Sequence, residues 1–151
     1  MVYCVLVMSL IRKSLVAATL LVSAAPSVVH AAQAVTVGTN KCTITAIAPT
    51  LKGTTLTATS SVVCTKAGSI SVETGVVELD GTVEDIKVQI KMTPKAVTVA
   101  ANKAVTVTTA SVVCASTETG NEEFATKARV NIAGAVSAYD RTVPKADSFA
   151  C

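Results

Sequence analysis

The sequence predicts an all-β fold: a disulfide-bonded antiparallel β-sandwich, with an immunoglobulin-like Greek key as the expected topology. Hydrophobic residues make up 50% of the 151-residue chain and aromatic residues only 3%, so the apolar content is mostly Val and Ala. Val and Thr are favoured in strands. Short alternating segments are separated by turn-forming Gly, Pro and Asn, which is typical of antiparallel sheets. Four widely spaced cysteines add the expectation of disulfides.

Residues 1–31 have the features of a signal peptide. Arg12 and Lys13 form a positive segment, and an apolar run follows over residues 14–25. Small side chains then allow cleavage after Ala31, with cleavage after Ala34 as the alternative. The apolar run is shorter than the roughly 20 residues that a bilayer span needs, which argues against a membrane anchor.

Cleavage changes the inventory of chemically useful side chains. It removes Cys4 and the single histidine, His30, and the loss of Arg12 and Lys13 lowers the formal net charge from +3 to +1. The apolar residues before Met8 are unusual for a signal peptide, so Met8 is an alternative start. We expect a single domain over residues 32–151, located in a secreted or periplasmic/extracellular compartment.

Four cysteines remain after cleavage, and an even number in a small exported domain predicts two disulfides. Spacing alone leaves three possible pairings. The four residues are Cys42, Cys64, Cys114 and Cys151.

A strand register selects one of these pairings. Segments 41–48 and 56–64 alternate in polarity and flank a turn-forming stretch around Gly53. A hairpin centred on Gly53 places Cys42 opposite Cys64 and collects apolar residues on one face and threonines on the other. A slip of one residue would exchange the faces. The further facing pairs are Ile44 with Val62, Ala46 with Ser60, and Ala48 with Ala58. Pairing Cys42 with Cys64 leaves Cys114 with Cys151.

The rest of the domain also has strand patterns. Asp80-Gly81 is a hairpin signal before a strongly alternating segment. Residues 122–130 contain good helix formers, but the alternation of Phe124 with Val130 and the residues between them favours a strand. The predicted strands are 33–38, 41–48, 56–64, 69–79, 83–92, 96–100, 104–115, 123–132 and 135–139.

Composition argues against most enzymes. Without His30 the chain has no imidazole for a Ser-His-Asp or Cys-His site, and paired cysteines supply no thiolate. The glycines are scattered singly, so no phosphate-binding loop is present. We therefore expect no catalytic residue, no cofactor, no nucleic-acid partner and no membrane association after cleavage.

A cluster of acidic residues is the one candidate metal site. Ca²⁺ prefers several oxygen ligands from a turn and its flanks. The alternative is a solvated hairpin tip with Glu78 and Asp85 on the outer face. The candidate ligands are Glu78, Asp80, Glu84 and Asp85.

Three aromatic residues remain after cleavage. We expect Phe124 and Phe149 in the core. Tyr139 is either a surface contact or a packed ring whose hydroxyl finds a local partner. A further group of acidic residues, Glu118, Glu122 and Glu123, precedes Lys127 and Arg129 and predicts surface charge with cross-strand pairing.

The expected function is that of a small extracellular interaction or structural module without catalytic activity. Its partner would be an extracellular or cell-surface protein that the sequence does not identify. The alternative is an inhibitor of an extracellular hydrolase that presents a rigid loop, either 65–69 after Cys64 or 115–123 after Cys114.

Overall fold

The computed structural model describes residues 32–80, 83–84, 92, 94–109, 112–114, 123–142 and 149. The predicted signal peptide and residues 85–91 lie outside this part of the chain. The fold is all-β, with two antiparallel sheets. Within the described residues no helix is long and apolar enough to cross a membrane.

In the first sheet, three consecutive strands form a meander, and strands from later in the chain pair with the third of them. Its order is β1-β2-β3-β7, and β8 also pairs with β3. The pairings between its strands are antiparallel, and an isolated parallel bridge joins Cys64 to Ala101. Its strands are β1 (Gln33–Val37), β2 (Asn40–Lys52), β3 (Thr55–Cys64), β7 (Ala104–Thr108) and β8 (Val112–Val113).

The second sheet is built around two long neighbouring strands, β4 and β9. Its order is β10-β9-β4-β5, with β11 also on β9 and β6 also on β4. The Asp80-Gly81 hairpin signal is confirmed, because Asp80 pairs with Val83. Its strands are β4 (Gly68–Asp80), β5 (Val83–Glu84), β6 (Lys95–Val99), β9 (Glu123–Ile132), β10 (Ala135–Val136) and β11 (Asp140–Arg141).

Of the predicted strand 83–92 only Val83–Glu84 is a described strand, and residues 85–91 lie outside the described residues. The other predicted strands agree with the structure within a few residues, with two differences. The predicted strand 104–115 consists of two short strands, β7 and β8. The predicted strand 135–139 ends at Val136, and β11 begins at Asp140. The segment 123–132 is a strand, as its alternation predicts, despite its helix-forming residues.

The predicted β2–β3 register is confirmed at the disulfide end and is wrong near the turn. Cys42 pairs with Cys64, and the register continues to Ile47 opposite Thr59. It then shifts by one residue, so Ala48 does not face Ala58 as predicted. Pro49, which has no N–H for the ladder, lies inside this irregularity.

Beyond the shift, β2 continues to Lys52, so the turn is shorter than predicted. Gly53 and Thr54 connect the strands, and the φ of Gly53 is +62°, a value that glycine adopts at no steric cost. The shift also changes the faces of β2. Ala48 is exposed, while Leu51 packs against a buried cluster.

The larger apolar cluster contains side chains from both sheets. Cys42, Ile44, Val62 and Cys64 belong to the first sheet, and they pack with buried residues of β4, β6, β7 and β9. The inner face that the sequence predicts for Ile44 and Val62 is therefore buried. The members from the later strands are Ile70, Val72, Val99, Val107, Ala128, Val130 and Ile132.

A smaller cluster fills the other end of the interior. It contains Phe124, and Phe149 packs against it with ring centroids 6.3 Å apart. Phe124 is therefore in the core as predicted, while Phe149 is half-buried at the edge of the cluster. Between the clusters, the hydroxyls of Ser60 and Thr74 form a buried 2.6 Å hydrogen bond from β3 to β4. The remaining buried members are Leu56, Ala58, Val76 and Cys114.

Candidate functional site

The Cys42–Cys64 disulfide lies at one end of the first sheet. It joins directly opposite residues of β2 and β3, with Cα atoms 4.0 Å apart and both cysteines fully buried. The N–H of Thr65 donates to the carbonyl of Lys41, so a hydrogen-bonded pair follows the disulfide immediately. This confirms the first predicted pairing and fixes the point at which the chain leaves β3.

The loop after Cys64, residues 65–67, is held by the β1–β2 turn. The hydroxyl of Thr65 accepts the N–H of Lys41 at 2.9 Å and lies 3.3 Å from Thr39 O and from Asn40 Oδ1, either of which accepts its proton. The Asn40 side chain also accepts the N–H of Lys66 at 3.1 Å. The predicted inhibitor loop is therefore tied at its base by hydrogen bonds as well as by the disulfide.

A third connection joins this group from the β6–β7 turn, residues 100–103. Asn102 donates its N–H to the carbonyl of Cys64 at 2.7 Å. Its φ is +57°, a conformation in which Asn is enriched among non-glycine residues. The carbonyl of Ala100 accepts the N–H of Lys103 at 3.2 Å and closes the turn.

Four connections thus meet at one end, which we call the loop end: residues 38–39, 65–67, 100–103 and 133–134. The last belongs here because Asn131 pairs with Ser71, near the start of β4. Lys41, Lys66 and Lys103 are exposed at this end. The described residues of these connections contain no Asp or Glu, so the loop end has positive charge.

The opposite end of the second sheet holds acidic residues. Asp80 and Glu84 flank the β4–β5 hairpin, and Glu123 begins β9 beside Leu79. The proposed calcium ligand Asp85, the acidic residues Glu118 and Glu122, and most of the second predicted loop, 115–123, lie outside the described residues. Within the described part of the chain, no three His, Cys, Asp or Glu side chains form a metal-binding group.

The position of Glu78 differs from the one expected for a solvated hairpin tip. It is 2% exposed and lies on the same face of β4 as the core residue Val76, whereas an outer-face position was expected. The alternation that places Glu73 outward on β4 places Glu78 inward. Glu78 is therefore not one of the outer-face residues of this hairpin, and Asp85 lies outside the described residues.

Tyr139 has a packed ring and a local hydroxyl partner, which is the second predicted alternative. Lys127 Nζ and Arg129 Cζ lie 4.6 and 4.5 Å from its ring centroid, and its hydroxyl donates to Glu73 Oε2 at 3.2 Å. Arg129 makes two hydrogen bonds to Glu73 across β9 and β4, at 2.9 and 3.0 Å. Arg129 is thus paired across strands with Glu73, which the sequence prediction did not name, while Glu118 and Glu122 lie outside the described residues.

Charge and burial affect Arg129 in opposite directions. The hydrogen bonds to Glu73 raise the pKa of the Arg129 guanidinium above its usual value, while desolvation acts to lower this pKa. Because arginine is protonated at all physiological pH values, the charge of Arg129 is constant and its contact with Glu73 is a structural ion pair.

Asp140 is a buried residue that the sequence pattern does not predict. This residue is 2% exposed, and its Oδ2 accepts the N–H of Ala46 at 2.6 Å, which connects β11 of the second sheet to β2 of the first. No local motif marks Asp140, because its partner lies 94 residues earlier in the chain. Only the arrangement of the two sheets brings these residues together.

These features define the class of protein: an all-β domain of two antiparallel sheets, with an intra-sheet disulfide and a positively charged loop end. The chain matches no protein-family model, and no curated protein matches its sequence.

Proposed function

We propose that this chain is an exported interaction module without catalytic activity, which binds an extracellular or cell-surface protein through its loop end. The observation that carries the proposal is the joining of separate loops into one fixed surface by the Cys42–Cys64 disulfide and the hydrogen bonds of Thr65, Asn40 and Asn102. Loops held in their bound conformation lose less entropy on binding.

The charge of the loop end indicates the kind of partner. Lys41, Lys66 and Lys103 face solvent, and the four connections of the loop end contain no acid. A partner with an acidic surface would be attracted and oriented by this charge. Such attraction between exposed charges weakens at high ionic strength, so binding should decrease as salt is added.

An immunoglobulin-like Greek key is the topology that we infer for the two sheets. In this fold, strands A, B and E form one sheet and G, F and C the other, with C′ beside C in variable-type domains. The order β2-β3-β7 matches A-B-E, and β10-β9-β4-β5 matches G-F-C-C′. Two departures are the disulfide within one sheet and the absence of Trp.

This assignment supports the loop end as the binding surface. Residues 65–67 would be the B–C loop and residues 133–134 the F–G loop. In variable domains these two loops lie at the end that binds antigen. This support comes from a similar architecture. The exposed lysines and the hydrogen bonds of the loop end support the same binding surface without it.

Export is supported by two features of the described residues. A buried disulfide is typical of oxidising compartments. In addition, β1 begins at Gln33, two residues after the cleavage site predicted at Ala31, so cleavage there leaves the strand whole. Cleavage after Ala34 would remove two of its five residues.

Affinity capture tests the proposed binding surface. The domain 32–151 serves as bait for culture supernatant and cell-surface extract, beside the variant Lys66→Glu/Lys103→Glu. The matched control is Lys52→Glu, since Lys52 is exposed at the opposite end of β2. We expect one partner to be retained by the wild type and the control but lost from the double variant. Equal retention by all three would contradict the role of the loop end.

Inhibition of an extracellular hydrolase is the second candidate, and the fixed base of loop 65–67 favours it. An inhibitor should abolish one activity in a panel of secreted proteases and glycosidases at a one-to-one ratio. Lys66→Glu should then weaken the inhibition. Full activity of every hydrolase with excess domain would argue against this function.

A further inference from the structure

Three edge strands of the described structure share one sequence. The tetrapeptide Ala-Val-Thr-Val occupies residues 34–37 of β1, 96–99 of β6 and 104–107 of β7, and it occurs nowhere else in the chain. β1 and β7 are the two ends of the first sheet, and among the described residues β6 pairs only with β4 of the second sheet. An edge strand presents unpaired backbone groups, so the repetition falls on positions that a further strand can join.

The side chains of the tetrapeptide have the same orientation at all three edges. The alanine and the threonine of each tetrapeptide are exposed. The valine between them packs against the larger apolar cluster in every case, as Val35, Val97 and Val105. The three strands therefore offer the same inner and outer faces.

The backbone of β7 directs the hydrogen-bonding groups of the alanine and the threonine away from the sheet. Successive residues of an antiparallel strand direct their N–H and C=O groups to alternate sides. The N–H of Thr109 donates to the carbonyl of Ala58 on β3 at 3.0 Å, so the odd-numbered residues of β7 bond to β3. The N–H and C=O groups of Ala104 and Thr106 are therefore directed to the outer side of β7, where no described strand pairs with them.

β1 has the same arrangement at the opposite end of the first sheet. The carbonyl of Lys41 accepts the N–H of Thr65 from the β3 side, so the even-numbered residues of β2 bond to β1. These residues pair with odd-numbered residues of β1, which leaves the N–H and C=O groups of Ala34 and Thr36 directed outward. β10 lies near β1 without pairing with it, and Ala34 and Thr36 remain exposed.

The two edges of the first sheet lack the features that protect the edges of the second sheet. A proline or a lysine in an edge strand discourages pairing with another chain, as does a very short edge strand. β6 begins with Lys95 directly after Pro94, and the described strands β5, β10 and β11 have two residues each. β1 and β7 each have five residues with neither charge nor proline. The first sheet is therefore the one whose edges can accept a further strand.

We propose that copies of this chain associate edge to edge, with β7 of one copy pairing antiparallel with β1 of the next. Every neighbouring pair in the order β1-β2-β3-β7 is antiparallel, so β1 and β7 run in opposite directions. Two copies in the same orientation thus bring β7 and β1 together as an antiparallel pair, with their inner faces on the same side. Each copy of such a pair keeps one open edge, so the assembly grows beyond a dimer.

The shared tetrapeptide makes the two strands complementary. When Thr106 of one copy lies opposite Thr36 of the next, two residues with outward backbone groups exchange both N–H···O=C hydrogen bonds. Val105 then lies opposite Val37, which is 36% exposed in the single copy, and the inner face continues. Opposed threonines are a favourable cross-strand pair on the outer face. A slip of one residue would direct the valines outward and is disfavoured.

This orientation of the copies places their loop ends side by side. The β1–β2 turn and the β6–β7 turn adjoin the paired strands, and both belong to the loop end. Exposed lysines of neighbouring copies therefore repel each other, and added salt screens this repulsion. Self-association should strengthen with salt, whereas the proposed binding of an acidic partner should weaken, so the two proposals can fail independently.

The first test is sedimentation velocity of the purified, oxidised protein over a range of concentrations. We expect species larger than a dimer, in amounts that increase with concentration and with salt. A monomer at every concentration would overturn the inference, and so would a dimer that does not grow. Neither result depends on whether affinity capture recovers a partner.

Proline variants assign the association to particular edges. Thr36→Pro and Thr106→Pro each remove one outward N–H and leave the ladder to the neighbouring strand of the same copy intact. Each variant alone should be monomeric, because every copy lacks the same edge. An equimolar mixture should form a dimer, since one variant supplies β7 and the other supplies β1. The matched control is Thr98→Pro, the same change in the same tetrapeptide on β6, which should associate as the wild type does.

Two outcomes of these variants would contradict the proposed pairing. Dimerisation of either variant alone would mean that one edge pairs with itself, and loss of association in Thr98→Pro would mean that the second sheet provides an edge. If a proline variant does not fold, Thr106→Lys replaces it, with Thr45→Lys as the control. Thr45 and Thr106 both lie opposite Ser61 on the outer face, but only Thr106 is on an edge strand. Thr106→Lys should lose association, and retained association would refute the inference.

Discussion

At the scale of single residues, the charged side chains on the outer face of the second sheet are paired with each other and packed against an aromatic ring. Arg129 and Glu73 are directly opposite in the β4–β9 register, and their side chains are 33% and 16% exposed. A bidentate pair of this kind holds both side chains in one geometry. The ring of Tyr139 lies against Lys127 and Arg129. Its hydroxyl donates to the carboxylate of Glu73.

Substitutions at Tyr139 separate its ring from its hydroxyl. Tyr139→Phe keeps the ring beside Lys127 and Arg129 and should destabilise the domain by about 0.5 kcal/mol, the low end for one hydrogen bond. Tyr139→Ala removes the ring as well and should cost about 2 kcal/mol through lost packing and cation–π contact. Urea denaturation measures both variants. Equal costs would show that the ring contributes nothing beyond its hydroxyl.

At the scale of elements, the sequence predicts the β2–β3 pairing because two constraints coincide there. Cys42 opposite Cys64 and the separation of apolar from Thr faces require the same register, and a slip would violate both. The prediction is wrong at Ala48 because Pro49, the next residue, has no N–H to donate to a regular ladder. The local sequence pattern is enough to predict that a strand exists. The position of a bulge also depends on how the neighbouring strand pairs with it.

Glu78 and Asp140 show what local pattern cannot reveal. A glutamate next to a turn is usually solvated, yet Glu78 lies on the inner face because β4 continues in phase from Glu73 to the hairpin. Asp140 depends on a partner in another sheet. Both positions depend on how the two sheets face each other, and no short segment of sequence contains that information.

Removal of the confirmed disulfide tests how much the hairpin depends on it. In the double variant Cys42→Ala/Cys64→Ala, the loss of the cross-link across 22 residues should lower the free energy of unfolding by roughly 3.5 kcal/mol, because the unfolded chain gains entropy. Thermal and urea denaturation measure the change. Thr45→Ala, an exposed change on β2, should cost less than about 0.5 kcal/mol and serves as the control.

At the scale of the whole molecule, a polar contact divides the interior. The Ser60–Thr74 hydrogen bond lies between the larger cluster around Ile44 and the smaller cluster around Phe124, and it connects the sheets. Buried hydroxyls of this kind are tolerated because each satisfies the other. The bond also favours a single alignment of the sheets, since a displaced arrangement would leave both hydroxyls without each other.

A double-mutant cycle measures this constraint. Ser60→Ala or Thr74→Val alone leaves one buried hydroxyl without its present partner and should cost about 2 kcal/mol. The double variant removes both polar groups, so its cost should be clearly less than the sum of the two single costs. Denaturation of the four proteins gives the coupling directly. Strict additivity would mean that the contact does not align the sheets.

The second predicted disulfide, Cys114–Cys151, would give the smaller cluster the covalent tie that the larger cluster has in Cys42–Cys64. Cys114 is buried in the smaller cluster and is disulfide-bonded, while its predicted partner lies outside the described residues. Phe149 packs against the same cluster, and two residues of extended chain reach about 7 Å, enough to bring Cys151 to Cys114.

Peptide mapping of the oxidised protein without reductant should therefore recover a Cys114 peptide joined to the C-terminal peptide. After reduction this species should separate into its two components. A Cys4–Cys114 species would instead mean that the N-terminal segment is retained, and the expectation of cleavage would fail with the pairing. Because a cross-link of this length contributes about 4 kcal/mol, Cys114→Ala/Cys151→Ala should also lower the melting temperature markedly.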